Sequence, residues 1–256
     1  MNTIYLAFSN SPERPEITLK EEENILMQIL TSGAMPLMPA SFKKLDLDII
    51  THSRGGLVGL DLCERQAPAD GGIHVRRAVF VAGPHNGTIL TDAQNWRRMI
   101  DAYTSLLTDL PDGPFTITLE GFLTLIKVVG AGALDGLPGL QSMLPGGDYL
   151  KSLNAAPKSN TTYYAMAAQY MPTDERALAR FAKRLMMKAL GGIFKEDSDL
   201  VVPTRGCYEM TPSVPGFSIP QDRHTVYDLE TEINHLNFFQ NQNVNKRLHD
   251  WLCTPA

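Results

Sequence analysis

The sequence is poor in cysteine and has no segment typical of an export signal. Its three cysteines, Cys63, Cys207 and Cys253, lie far apart and are odd in number. They therefore show neither zinc-ligand spacing nor a disulfide framework, and they favour a reducing compartment. The N-terminus has no basic start and only a five-residue apolar run, residues 4–8. We therefore predict no export signal and a cytoplasmic location.

Long apolar runs and an excess of positive charge are also missing. The most apolar later stretch, residues 122–140, is interrupted by Lys127, Asp135 and Pro138, so we expect no stable membrane span. The chain carries 28 acidic and 23 basic side chains, a formal net charge of −5. This balance gives no electrostatic reason to expect a nucleic-acid or anionic-membrane partner. A small-molecule partner is the expectation, and the sequence predicts no oligomeric state.

The sequence does have enough apolar material for a sizeable core, since 43% of its 256 residues are hydrophobic. Apolar runs that alternate with helical patterns indicate an α/β fold with a mostly parallel sheet, one domain over residues 1–256. Functional sites are then expected beyond the carboxyl ends of the strands. The predicted strands are residues 4–8, 45–51, 75–81 and 161–168, and the predicted helices are residues 19–30, a segment from residue 57, 173–190 and 237–251.

Residues 88–160 lose the alternation of strands and helices. Residues 96–107 have a helical pattern, residues 115–129 are apolar, and residues 130–147 are rich in glycine. We interpret the segment as a helical cap inserted into the α/β core.

A serine stands where the second predicted strand turns into a helix. Residues 51–55 read Thr-His-Ser-Arg-Gly, close to the G-x-S-x-G pattern in which a sharp strand-to-helix turn exposes a nucleophilic serine. The first glycine of that pattern is replaced by Thr51, and the second is present as Gly55. The sequence therefore predicts Ser53 as a nucleophile.

Two segments resemble the α/β-hydrolase superfamily, in particular its lipase- and esterase-like members. They are THSRGGLV, residues 51–58, and VFVAGPHNGT, residues 79–88. GLQSMLPGGDYLKSLN, residues 139–154, resembles the cap segment by which such proteins return to the core. The resemblance covers most of the chain from residue 4 to residue 251. It implies an α/β-hydrolase fold, a mostly parallel sheet flanked by helices with a helical cap insertion, and a triad in the order nucleophile, acid, histidine.

A histidine must accept the serine proton, and six are present. His235 comes just before the last predicted helix, where the catalytic histidine of the resembled family lies, and it is our candidate. His224 is the alternative. The others are His52, His74, His85 and His249.

The third member must be a carboxylate that orients the imidazole. Asp199 precedes Leu200-Val201-Val202-Pro203, which resembles the acid-bearing turn of the family. Asp197, two residues earlier, is the alternative acid.

Three further residues, Arg54, His52 and His85, are candidates for oxyanion or substrate binding. The backbone N–H of Arg54 is a predicted oxyanion donor at a helix N-terminus. Its side chain either reaches a substrate anion or, as we favour, is a surface cation. His52 is expected to point elsewhere along the turn. Residues 85–88 either line the pocket mouth or form the turn that leaves a strand.

The resembled family takes its second oxyanion donor from a loop well upstream of the nucleophile, often with a His-Gly pair. Only 52 residues precede Ser53, and the first histidine among them is His52. We therefore expect an N-terminally abbreviated domain, in which the chain begins inside the domain or a loop such as residues 9–13 substitutes.

The resulting hypothesis is a serine esterase or lipase-like hydrolase that acts on an ester with an apolar acyl part. It needs no cofactor and no metal, since the sequence has neither a glycine-rich phosphate loop nor clustered metal ligands. The alternatives are a catalytically impaired binding or regulatory module, a fragment of a longer hydrolase, and a peptidase or amidase with the same triad.

Overall fold

The computed structural model describes residues 45–65, 73–88, 142–155, 159–170, 197–210 and 218–253, with separate helical residues between 91 and 127. The predicted strand 4–8 and the predicted helices 19–30 and 173–190 lie outside the described residues.

In the part of the chain that the structure describes, four strands form one sheet in which each neighbouring pair is parallel. In spatial order they are β1 (Leu45–His52), β2 (Ile73–Val81), β3 (Thr162–Ala168) and β4 (His224–Tyr227). The first three agree with the apolar runs of the sequence to within two residues. The fourth, the short segment HTVY, was not predicted, because four residues with a histidine and a threonine give no distinct apolar alternation.

Among the described residues, the α-helices with given bounds are α1 (Gly55–Arg65), α2 (Asp148–Asn154) and α3 (Gln242–Cys253). The predicted last helix, 237–251, begins five residues too early. Residues 238–240 form a separate 3-10 turn, and the side-chain oxygen of Asn241 accepts a 2.8 Å hydrogen bond from the Asn243 N–H. Asn241 thus caps the first turn, so α3 begins after it.

Both faces of the sheet are buried, as is usual for parallel strands. Along β2, Ala78 and Phe80 face the α1-side cluster, which contains Leu57 and Leu60 of α1. The alternate residues Val79 and Val81 face the α3-side cluster. The latter also contains Met166, Phe238, Val244 and Leu248. The α/β architecture predicted from the sequence is confirmed.

A third cluster lies beyond β3 and includes residues from the predicted cap. Met99, Leu119, Phe122 and Ile126 are each fully buried, and they pack with Leu200, Val201 and Val202. The boundaries of the cap stay a prediction. Within the described residues, no helix has the length and apolar character needed to cross a bilayer.

Candidate active site

The turn between β1 and α1 contains Ser53 and Arg54. The Ser53 backbone lies in the left-handed region, with φ at 54°, a conformation that costs a residue with a side chain about 1 kcal/mol. The Ser53 N–H donates to the carbonyl of Val81 at 3.0 Å, and the Ser53 carbonyl accepts from the Gly56 N–H at 2.8 Å. These bonds join the turn to β2 on one side and to α1 on the other.

The threonine that replaces the first glycine of the motif is accommodated by a glycine on α1. A Cβ atom on Gly59 would lie 2.8 Å from Cγ2 of Thr51, closer than real carbon atoms approach. One helical turn earlier, a Cβ atom on Gly55 would be 3.8 Å from Cβ of Thr51. Space for the threonine side chain is therefore provided by the helix, at Gly59. The sequence analysis missed Gly59, although its position four residues after Gly55 places both on one helix face.

Ser53, His235 and Asp199 form a continuous chain of hydrogen bonds. Oγ of Ser53 lies 2.9 Å from Nε2 of His235, and Nδ1 of His235 lies 2.8 Å from Oδ2 of Asp199. Because a carboxylate oxygen accepts, Nδ1 carries the ring hydrogen and Nε2 accepts from the serine hydroxyl. Asp199 and His235 are 1% and 3% exposed, so both lie in a site largely closed to water.

The carboxylate of Asp199 is held by its own turn, residues 199–202, which we call the acid turn. Oδ1 accepts from the N–H groups of Val201 and Val202 at 3.0 and 2.8 Å, and this leaves Oδ2 for His235. The hydroxyl of Thr88 donates to the Val201 carbonyl at 2.6 Å. The loop that follows β2 is therefore tied directly to the acid turn.

Two asparagines shape the histidine loop, residues 233–237. Oδ1 of Asn234 accepts from the Leu236 N–H at 2.9 Å, and Oδ1 of Asn237 accepts from the Asn234 N–H at 2.7 Å. The His235 N–H also donates to the Asp199 carbonyl at 3.2 Å. Side-chain bonds of this kind fix a turn locally, and they present the His235 ring to both partners.

The two alternative residues of the sequence analysis are bonded elsewhere. Asp197 is exposed, and its Oδ2 accepts from Nε2 of Gln169. His224 lies on β4, where Nδ1 bonds the Ile219 carbonyl and the ring stacks on Tyr208 at 4.1 Å. Neither side chain takes part in the hydrogen-bond chain of Ser53.

His52 lies beside His235, and the expectation that it points elsewhere is wrong. Side chains alternate along a strand, so when Thr51 faces α1, His52 faces the opposite side. Its ring centroid lies 4.8 Å from that of His235, and its Nε2 donates to the His235 carbonyl at 3.0 Å. Burial, followed by repulsion from His235, lowers the pKa of His52 to about 4.

Arg54 is not a surface cation, since only 8% of it is exposed. The physical reason is that α1 lies against the sheet and is buried from residue 56 to residue 63. Its first turn is therefore covered as well. The backbone N–H of Arg54 lies at the N-terminus of this helix, where the helix dipole favours an anion. Residues 9–13, the expected substitute for the upstream oxyanion loop of the resembled family, lie outside the described residues.

His85 is fully buried in the loop after β2. Its ring lies 4.6 Å from that of Phe80, and neither ring nitrogen has a hydrogen-bond partner among the described residues. Cβ atoms on Gly83 and Gly56 would come within 2.6 and 3.3 Å of its Nε2. Burial lowers the pKa of His85 to about 3. The ring is packed beneath the start of α1, and its predicted role in substrate binding stays a prediction.

Comparison with known proteins places this chain in a family. A protein-family model described as a domain of unknown function, DUF7379, matches residues 26–253. The chain belongs to the DUF7379 family. The search of curated proteins found no match.

Solved structures similar to this DUF7379 protein include two bacterial lipases. The lipase BlEst2 from Bacillus licheniformis, in mature form, is 15% identical with a TM-score of 0.52, covering 94% of this chain and 76% of that one. Lipase 1 from Pelosinus fermentans is 14% identical with a TM-score of 0.46, covering 86% of this chain and 76% of that one. At this identity the first similarity concerns the fold, and the DUF7379 chain has the parallel α/β arrangement of the α/β hydrolases.

The described part of this DUF7379 chain contains no group of three or more histidine, cysteine, aspartate or glutamate side chains that could hold a metal ion.

Proposed function

We propose that the protein is a serine hydrolase that cleaves a carboxylic ester through Ser53, His235 and Asp199. The observation that carries the proposal is the hydrogen-bond chain from Oγ of Ser53 through the His235 ring to Asp199, with links of 2.9 and 2.8 Å. A serine hydroxyl is a weak nucleophile unless a base removes its proton. In this series of hydrogen bonds, Nε2 of His235, the proposed base, lies within hydrogen-bond distance of Oγ of Ser53. The His235 ring is in the tautomer that can accept the serine proton.

The reaction follows from these positions. Oγ of Ser53 attacks the ester carbonyl while Nε2 of His235 takes the hydroxyl proton. Asp199 stabilises the imidazolium that forms. The N–H of Arg54, at the start of α1, stabilises the negative oxygen of the tetrahedral intermediate. His235 then gives its proton to the leaving alkoxide, which leaves an acyl group on Ser53, and a water activated by His235 releases the acid.

The substrate we favour is an ester with an apolar acyl group. Leu236 follows the proposed base and is 42% exposed, and Phe239 is 43% exposed with its ring 5.6 Å from that of His52. A Cβ atom on Gly121, in the cap segment, would lie 3.0 Å from Cδ1 of Leu236. On the same segment Ile117 is 69% exposed. Exposed apolar side chains thus lie next to the proposed base, at Leu236, and next to His52, at Phe239, and burying them against an acyl chain is favourable.

A panel of p-nitrophenyl esters from acetate to palmitate tests this function, with Ser53→Ala as the control. We expect hydrolysis that is lost in the variant and a kcat/KM that increases with acyl length. A folded protein that hydrolyses no ester in the panel would contradict the function and favour the binding module. Equal kcat/KM across the panel would contradict the apolar acyl preference, and faster cleavage of matched anilides would indicate an amidase. The cytoplasmic location stays a prediction.

A further inference from the structure

We propose that His52 is a positioning residue, which holds the backbone of His235 and thereby sets the distance between the His235 ring and Ser53. The inference rests on the proposed function, because it assigns a role within the same site. It concerns a residue that precedes the proposed nucleophile directly and touches the proposed base.

The first support is the way in which the His235 backbone is held on both sides. Its N–H donates to the Asp199 carbonyl at 3.2 Å, and its carbonyl accepts from Nε2 of His52 at 3.0 Å. The first bond joins the base to the acid. The second joins the base to β1, which carries Ser53 at its end. The hydrogen bond between Ser53 and His235 is thus accompanied by a second hydrogen bond to His235, from His52, one residue earlier in the sequence.

The second support is that the His52 ring has little freedom to move. Its centroid lies 4.8 Å from that of His235, 5.6 Å from that of Phe239 and 6.3 Å from that of Phe238. A donor whose ring is packed on several sides keeps its direction. It can therefore fix the position of the carbonyl that accepts from it.

The third support is that His52 brings no charge to the site. Burial lowers the pKa of His52 to about 4, although the nearby Asp199 carboxylate acts in the opposite direction. A cation in ring contact with His235 would oppose the imidazolium that His235 must form. A neutral imidazole supplies the N–H donor without that cost.

Two substitutions separate the donor from the ring. His52→Gln keeps an N–H donor with a reach similar to that of Nε2, whereas His52→Phe keeps a packed ring and removes the donor. His74→Gln is the matched control, because His74 is exposed and bonded to Asp46 at the amino ends of β1 and β2. We expect His52→Phe to lower kcat for a p-nitrophenyl ester about 10-fold, the loss of one buried hydrogen bond, with little change in KM. His52→Gln should restore most of kcat.

A measurement that needs no activity accompanies the kinetics. In a ¹⁵N-histidine-labelled protein, the Nδ1–H of His235 should give a resonance protected from solvent exchange by its bond to Asp199. We expect this resonance in the wild type and in His52→Gln, and exchange broadening in His52→Phe.

The outcomes distinguish this inference from the proposed function. An inactive wild type with the expected resonance pattern would overturn the ester hydrolase and support the positioning role. Unchanged kcat in His52→Phe would overturn the positioning role and leave the hydrolase intact. A fall in the kcat of His52→Phe with an unchanged His235 Nδ1–H resonance would also overturn the positioning role. Equal losses of kcat in His52→Phe and His52→Gln with a lowered melting temperature would do the same, since these results mean that His52 only supports folding.

Discussion

Strands β1 and β2 lie side by side, and each is followed by a residue in the left-handed conformation. Ser53 follows β1 with φ at 54°, and Ala82 follows β2 with φ at 51°. Each donates its N–H to the next strand, Ser53 to the Val81 carbonyl and Ala82 to the Met166 carbonyl. The backbone therefore makes the same sharp turn twice, at neighbouring positions on the same edge of the sheet.

The two turns differ in what their side chains contact. Ser53 is half-buried and bonded to His235, whereas the methyl group of Ala82 is fully buried in the α3-side cluster. The chain after Ser53 continues into α1, and the chain after Ala82 forms a buried turn around His85. A left-handed turn after a strand therefore does not make a site by itself. A site needs a polar side chain on the turn and a partner from a distant part of the chain.

The largest expected effect is on kcat, and it comes from replacing Asp199, the acid that is hydrogen-bonded to His235. Asp199→Asn should lower kcat about 10⁴-fold, because an amide that donates to Nδ1 of His235 favours the tautomer that cannot accept the serine proton. The matched control is Asp197→Asn, whose carboxylate is exposed and bonded to Gln169. Steady-state kinetics on one ester measure both. Equal losses in the two variants would contradict the assignment of Asp199.

A second effect, on stability, concerns how closely α1 fits the strand before Ser53. Gly59→Ala should lower the free energy of unfolding by about 1–3 kcal/mol, because its Cβ would lie 2.8 Å from Cγ2 of Thr51. Thr51→Ser removes that methyl group and keeps the hydroxyl. In the Thr51→Ser background, Gly59→Ala should therefore cost less, and the closest remaining atom is Cδ1 of Ile49 at 3.3 Å. Urea denaturation of the four proteins measures the coupling, and a cost that is the same in both backgrounds would refute this contact.

A third expected effect is on the pH dependence of stability, and it comes from His85 in the turn after β2. The pKa of His85 is about 3 in the folded chain, against 6.5 for an ordinary histidine. The unfolded chain therefore binds a proton that the folded chain does not, so the free energy of unfolding falls as the pH is lowered from 6.5 towards 3. For this fully buried group the slope is on the order of 1 kcal/mol per pH unit.

His85→Gln should remove that slope, whereas His74→Gln controls for the loss of a histidine. His52 contributes a slope of the same sign between pH 6.5 and about 4, and it is present in both variants. The measurement is urea denaturation at several pH values from 7 to 4.5. An identical pH dependence in wild type and His85→Gln would show that His85 is not held neutral.

The smallest expected effect is the change in stability when glycine replaces either of the two left-handed residues, Ser53 and Ala82. Ser53→Gly should be more stable than Ser53→Ala by about 1 kcal/mol, because glycine adopts positive φ without strain. Ala82→Gly should gain less, since it also removes a buried methyl group worth about 0.8 kcal/mol. Melting temperatures measure both, and an equal gain at the two positions would contradict the difference in burial.

The sequence predicted the parts of the molecule that depend on local pattern. Strands β1 to β3 are short segments rich in apolar residues, and the turn at Ser53 has motif spacing, so periodicity and turn chemistry were sufficient. Strand β4 was missed because pairing with β3, rather than its four residues, makes it a strand. The start of α3 was misplaced because the cap at Asn241 decides it.

For the candidate site, the sequence predicted which residues could act together but not their finer geometry. Ser53, Asp199 and His235 are the three that the structure brings into hydrogen-bond contact. The orientation of His52 and the burial of Arg54 depend on which elements cover them, and no local pattern encodes that. The accommodation of Thr51 by Gly59 likewise requires two elements to be packed together.

Reaction of the purified protein with a fluorophosphonate probe shows directly whether Ser53 is an activated nucleophile, because the probe labels an activated serine. We expect one covalent adduct, located by peptide mass spectrometry on Ser53, and its loss in both Ser53→Ala and His235→Ala. A folded wild type that remains unlabelled, or an adduct that persists in Ser53→Ala, would contradict the claim that Ser53 is an activated nucleophile.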